Sequence, residues 1–199
     1  MTAHPHSSGP GDGPRVRLAP HRDSDEGSVH LVEVRAVALC PDVMDVEFTL
    51  IGDLSVIRIP PSGPGRRAEE LWRHTCFEAF VRRDDEPGYL EFNFSPSGAW
   101  QAYQFSGYRR DRQPAALPAP PDLTVRQPGS ASRAVTALIL EARVHLPASF
   151  RTASGGLRLA LSAVVEAGTG TLSYWALRHA PGRPDFHHPD AFALTLAGS

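Results

Sequence analysis

Residues 75–105 read TCFEAFVRRDDEPGYLEFNFSPSGAWQAYQF, alternating with a period of two and breaking twice, at DDEPG and at SPSG. Period two marks a half-buried strand, because successive side chains of an extended chain leave on opposite faces. Parity then sorts the residues. Leu90, Phe92 and Phe94 point one way, and Tyr89, Glu91, Asn93 and Ser95 the other. Thr75, Phe77, Ala79 and Val81 form a second apolar row, which puts Glu78 on the opposite face with Cys76 and Phe80. The stretch therefore predicts strands at Thr75–Val81, Tyr89–Ser95 and Ala99–Phe105, each giving one face to a core.

The alternation continues outward in both directions. It predicts strands near Val16–Ala19, Val29–Leu39, Met44–Ile51, Leu54–Ile59, Val135–Leu146, Leu157–Val165, Ser173–His179 and Phe192–Leu196. Two of them carry long apolar ladders and are expected to be neighbours in a sandwich: Leu138, Leu140, Ala142, Val144 and Leu146, and Leu157, Leu159, Leu161, Ala163 and Val165. Helical spacing is confined to a short turn suggested by Ala68–Trp72.

With 19 Pro and 17 Gly in 199 residues, turns are frequent. The segments 60–65 (PPSGPG) and 113–129 break any regular element and are expected to be loops. Strand-like runs resume after both without a shift in composition, so they read as insertions at the edge of one unit. The expected fold is all-β, an antiparallel β-sandwich of jelly-roll or immunoglobulin-like form. One domain should span 15–199, after a loose tail over 1–14 rich in Gly, Pro, Ser and His.

A net charge of −2 offers no basic surface to neutralise phosphates, so nucleic acid is not an expected partner. The first residues lack the apolar run of a signal peptide or a membrane span, from which a cytoplasmic location without a membrane partner is expected. Cys40 and Cys76 are too few for a disulfide framework. Each lies in an apolar run and is expected to be a buried, reduced thiol.

Glu78, flanked by apolar neighbours, must keep solvent or find donors, since an isolated buried charge is costly. Arg82, two residues along on the same face, is the internal partner the spacing offers, and a ligand hydroxyl is the other. Three tryptophans lie close to such polar strands: Trp72 in LWRHTCFE, Trp100 in GAWQAYQFSGY and Trp175 in SYWALRH. Tryptophan is commonly core, but a sugar site needs flat aromatic faces with carboxylates and amides at the hydroxyl edge. The segment 184–190, PDFHHPD, gathers Asp185, His187, His188 and Asp190. Adjacent histidines on an extended chain face opposite ways, so no complete tetrahedral metal set is visible. It reads as a proline-bounded turn with Phe186 packed inward, closing a ligand site to which His187 or His188 donates.

The block LWRHTCFEAFVRRDDEPGYLEFNFSPSGAWQAYQFSGY resembles the family 9 carbohydrate-binding modules and the related DOMON-like domains. Their shared pattern is a Trp, a strand ending in Glu-x-Phe, a hairpin, then Tyr-x-Glu-Phe and a Ser-Pro-x-Gly turn. With SYWALRHAPGRPDFHHPDAFAL, the chain is similar to bacterial DOMON-like proteins over roughly residues 15–197. The resemblance implies a jelly-roll-like sandwich and a sugar site built from two flanking tryptophans with polar groups at the ligand edge. Trp72 and Glu78 fall on the matching motif positions, Trp175 is the candidate for the second wall, and parity adds Glu91 and Asn93. Where sugar-binding relatives often follow the Trp with acidic residues, this chain has Arg73 and His74.

Other DOMON-type domains bind haem through a Met and a His, and here Met44 with His179, His187 or His188 could form such an axial pair for haem b. Met44 in VMDVEFTLI reads instead as core filler, and no C-x-x-C-H attachment motif occurs. A hydrolase acting on a glycan could use Glu78 and Glu91 as paired carboxylates. No nucleophile elbow, P-loop or dinucleotide fingerprint accompanies them. The expectation is a ligand-binding module for a sugar-like molecule, without catalysis or cofactor.

Overall fold

The computed structural model describes residues 13–25, 27–128, 136–150 and 156–196. Among them the chain forms β1 (Arg15–Pro20), β2 (Val29–Cys40), β3 (Val43–Gly52), β4 (Arg66–Arg67), β5 (Cys76–Arg83), β6 (Tyr89–Phe94) and β7 (Ala99–Phe105). β8 (Gln113–Pro114), β9 (Asp122–Arg126), β10 (Thr136–His145), β11 (Leu157–Glu166), β12 (Leu172–Ala176) and β13 (Leu194–Leu196) follow. Helical geometry is limited to single 3-10 turns, of which Leu71–Arg73 coincides with the turn expected at Ala68–Trp72.

Pairing converts the alternation into two facing sheets. One runs β1, β2, β3, β10, β9; the other runs β4, β7, β6, β5, β11, β12, with β13 also on β11 and β8 on β7. All neighbours are antiparallel except the short β4–β7 pair. β1 belongs to both, since Arg15–Leu18 pairs with β2 while Ala19 and Pro20 pair with β12. The architecture is thus a curled β-sandwich, as the alternation predicts.

Apolar rows from both sheets meet in one core. Leu90, Phe92 and Phe94 lie there with Phe77, Ala79 and Val81, all fully buried. The ladders of β10 and β11 share this core from opposite sheets, so they face each other across it instead of pairing. Phe48 of β3 and Phe77 of β5 stack at 5.1 Å between ring centroids, tying the sheets together. The SPSG turn closes with Gly98 N–H donating to the Ser95 carbonyl at 2.9 Å, and Gly98 takes a φ of +87° that a side chain would strain.

The second sheet is buried on its outer face too. Cys76, Glu78 and Phe80 of β5 and Tyr89, Glu91 and Asn93 of β6 are as enclosed as their inward neighbours. Phe186, Ala191 and Phe192, from the segment between β12 and β13, pack there against Phe80, Tyr89, Tyr103 and Phe105.

Several expectations are corrected. Leu54–Ile59 is not a strand: Asp53 accepts from Ser55 N at 3.0 Å and starts a 3-10 turn, leaving only an isolated bridge between Ile57 and Ala167. The segment 113–129 is not wholly loop. Asp122–Arg126 pairs with the free edge of β10, its flanking prolines standing outside the strand where no ladder donor is needed. Pairing after β12 stops at Ala176 instead of reaching His179, and the last strand begins at Leu194. Cys76 is buried as expected, whereas Cys40 is half-buried, its Sγ donating to Asp42 at 3.2 Å. The tail over 1–14 lies outside the described residues apart from Gly13 and Pro14.

Removing one ring of the inter-sheet stack should reveal its worth. Phe77→Ala is expected to lower stability by about 3–5 kcal/mol, the usual cost of truncating a buried phenylalanine. Urea denaturation reads it, and a loss below about 1 kcal/mol would show that the stack does not tie the sheets together.

Candidate functional site

Between the outer face of the second sheet and the segment that crosses it lies a cleft of about 560 Å³. Its floor comes from β5 and β6, where adjacent antiparallel strands set Glu78 opposite Asn93 and Phe80 opposite Glu91. Glu78 and Glu91 are therefore diagonal neighbours on one face, 3% and 5% exposed, and both line the cleft.

The two carboxyls differ in how they are held. Glu91 Oε1 accepts from Asn93 Nδ2 at 2.6 Å, and Asn93 Oδ1 accepts in turn from the Cys76 thiol at 3.7 Å. Among the described residues, no donor reaches Glu78 in hydrogen-bond geometry. Ser162 stands directly across from it on β11, close enough to favour the charged form, yet its hydroxyl makes no hydrogen bond. Burial first, and then the charge of Glu91, push the Glu78 carboxyl well above the usual range. Burial also raises Glu91, opposed by the Asn93 hydrogen bond and the charges of Arg112 and Arg109.

Three non-glycine residues with positive φ, Glu70, Arg109 and Asp111, shape the cleft's surroundings. Such conformations are uncommon and cluster where side chains must be aimed. Glu70 precedes the 71–73 turn that presents Trp72 and Arg73 to the cleft. Arg109 and Asp111 lie in the tight loop after β7, which also presents Arg112. The Arg112 guanidinium sits 5.0 Å from the Tyr103 ring centroid and 5.8 Å from that of Trp72. Phe105, Tyr174 and Phe186 complete the aromatic lining.

Polar contacts pin the crossing segment down. Asp185 accepts from Arg109 Nη2 at 2.7 Å and from the Tyr108 hydroxyl at 2.5 Å. The Tyr89 hydroxyl accepts from Arg109 N at 3.2 Å and lies 2.8 Å from His187 Nδ1. Among the described contacts of the Tyr89 hydroxyl, Nδ1 is the acceptor open to its proton, and with the proton given there the hydrogen of a neutral His187 sits on Nε2. Nε2 is 3.8 Å from Glu91 Oε2, too far for a hydrogen bond, so its N–H can turn to a ligand. Burial and the Arg109 charge lower His187 to about 4, keeping the ring neutral at pH 7. The Tyr89 phenol is pushed up to about 12, chiefly by burial.

Of the residues singled out from sequence, Trp72, Glu78, Glu91 and His187 meet in this one cleft. Asn93 is not on its lining and holds Glu91 from the next position along the same strand face. Trp175 is a correction: it faces the inter-sheet core, with Nε1 donating to Ser173 Oγ at 3.0 Å, and its neighbour Tyr174 takes the wall. Arg82 does not pair with Glu78, because its guanidinium lies over the Phe192 ring at 4.8 Å. Met44 is sealed in the core, while His179 Nε2 meets the Ala19 carbonyl at 2.9 Å and its ring packs by Phe186. Neither lines the cleft, so no axial pair for haem is assembled there. His188 turns outward and caps Asp190 N at 3.2 Å. Parity could have placed Phe105 on this face. Nothing local in the sequence announced Tyr89 and Arg109 as partners of residues 98 and 76 positions further along the chain.

No protein-family model matches the chain, and no curated protein matches it. Among solved structures, a Bacteroides uniformis ATCC 8492 protein, provisionally described as carbohydrate-binding, superposes with a TM-score of 0.66 at 15% identity, over 93% of this chain and 87% of its own. A family 9 carbohydrate-binding module from Caldicellulosiruptor kristjanssonii, in complex with glucose, aligns with a TM-score of 0.48 at 10% identity, over 92% of this chain and 85% of its own. At 15% identity the first of these likenesses is one of fold.

The floor leaves a signature in the pH dependence of stability. Because the folded state raises Glu78, it keeps a proton that the unfolded chain releases, so this group's contribution falls as pH rises above its unfolded value. His187 acts in the opposite sense and costs stability only as pH falls from about 6.5 towards 4. Glu78→Gln should therefore raise the urea midpoint over wild type near pH 8, with the gain shrinking towards about pH 4.5. A gain that is absent or grows on acidification would contradict the assignment.

Proposed function

We propose that the cleft binds a small carbohydrate or similarly hydroxylated molecule, as a binding module and not a catalyst. The observation that carries this reading is a buried polar floor under aromatic walls. Glu78, Glu91 and the Nε2–H of His187 point at one space that Trp72, Tyr174, Phe105 and Phe186 border. A pyranose has the matching anatomy, with an apolar ring face for a flat side chain and a hydroxyl edge for acceptors and donors. Trp72, half-buried and braced edge-on by Tyr103 at 6.0 Å, is the stacking surface. Glu91, steadied by Asn93, receives hydroxyl protons. The likeness in fold to a provisionally carbohydrate-binding protein points the same way. So does the sequence resemblance to DOMON-like domains and family 9 modules, while the residues of the cleft carry the argument.

Calorimetric titration with a panel of mono- and disaccharides tests this reading. At least one is expected to bind, and Trp72→Ala should weaken it at least about tenfold, or about 1.4 kcal/mol. Trp175→Phe, a change in the core, should not. No binding across the panel, or binding indifferent to Trp72→Ala, would overturn the proposal. Turnover of a glycan lost in Glu78→Gln would instead make the carboxyls an acid–base couple.

A further inference from the structure

We propose that the preferred ligand is an amino sugar, whose protonated amine sits between the carboxyls of Glu78 and Glu91. This rests on the cleft binding a sugar and adds which one.

Unanswered valence on the floor is the first ground. Glu78 is buried, borders the cleft and meets no donor among the described residues, while Glu91 has only its Oε1 engaged. An ammonium brings three donors and a charge, enough for Glu78 and the free oxygen of Glu91 at once, where a hydroxyl brings one donor. The groups facing Glu78 leave it this task. Asn93 is committed to Glu91 and Cys76, and the Ser162 hydroxyl, near enough to favour the charged form, offers at most one donor. The Cys76 thiol is held neutral by burial.

The balance of charge is the second ground. Arg73 and Arg109 line the cleft already paired, with Glu70 at 2.9 Å and Asp185 at 2.7 Å. His187 is neutral at pH 7. Arg112 lies over aromatic rings instead of in a salt bridge. Among the described residues Arg112 is thus the one cleft cation outside a salt bridge; it balances Glu91 while Glu78 is neutral, and ionisation of Glu78 leaves room for one more positive charge. A charge buried this far from water is favourable only when it is paired and hydrogen-bonded, which the two carboxyls together supply. Trp72 adds the attraction of an aromatic face for a cation.

A consequence can be read directly. Glu78, held towards its neutral form in the free protein, must ionise to meet the ammonium, and its proton passes to the buffer. Glucosamine, glucose and N-acetylglucosamine should be compared by calorimetry at about pH 6.5, in buffers of different ionisation enthalpy. Glucosamine is expected to bind at least about tenfold tighter than either neutral sugar, with proton release that they do not cause. Glu78→Gln should bring the affinity ratio close to one. Neutral sugars binding as tightly as glucosamine, or a preference for glucosamine that survives Glu78→Gln, would overturn this inference and leave the sugar-binding reading standing. Failure of all sugars to bind would overturn both.

Discussion

The contact between the second sheet's outer face and the segment joining β12 to β13 is the constraint on which the rest depends. A strand in a two-layer sandwich normally has one face in the core and one in water. Here Phe80, Tyr89, Phe105, Phe186 and Phe192 build a second apolar cluster on the face that would be wet. Tyr89 and Phe105 stack at 4.7 Å, and His187 lies edge-on to Phe105 and Phe80 at 5.2 and 5.1 Å. Because that cluster covers only part of the face, its margin becomes a cleft, and Glu78 and Glu91 are caught at its floor.

That position explains both the stability cost and the chemistry. Two carboxyls side by side out of bulk water are unfavourable for folding, and the chain spends Asn93 on one of them while leaving the other unanswered. Natural proteins tolerate such an expense mostly where function draws on it. The same burial that penalises the free carboxyls strengthens a hydrogen bond or charge that a ligand brings to them. Asp185, Arg109, Tyr108 and Tyr89 serve this arrangement indirectly, by fixing the crossing segment and the tautomer of His187.

Much of this was legible in the residues. Alternation in 75–105 placed Glu78 and Glu91 on one face and Phe92 and Phe94 in the core, because strand parity needs no tertiary information. It could not tell that the outer face is covered, since that depends on where 184–192 lands. Trp175 and Tyr174 show the limit. They are adjacent, one faces the core and the other the cleft, and only the register of β12 on β11, Ala163 against Trp175, says which. Asp122–Arg126 was obscured by its prolines, and Leu54–Ile59 mimics a strand because its apolar residues alternate although the 54–56 turn is not buried.

The most direct measurement is a ¹³C-detected NMR titration of the glutamate carboxyls, with and without a bound sugar. The account predicts that Glu78 titrates well above the ordinary glutamate value of about 4.3, that Glu91 lies above it too, and that both titrations move when the sugar is added. Carboxyls that titrate at the ordinary value and ignore the sugar would contradict it.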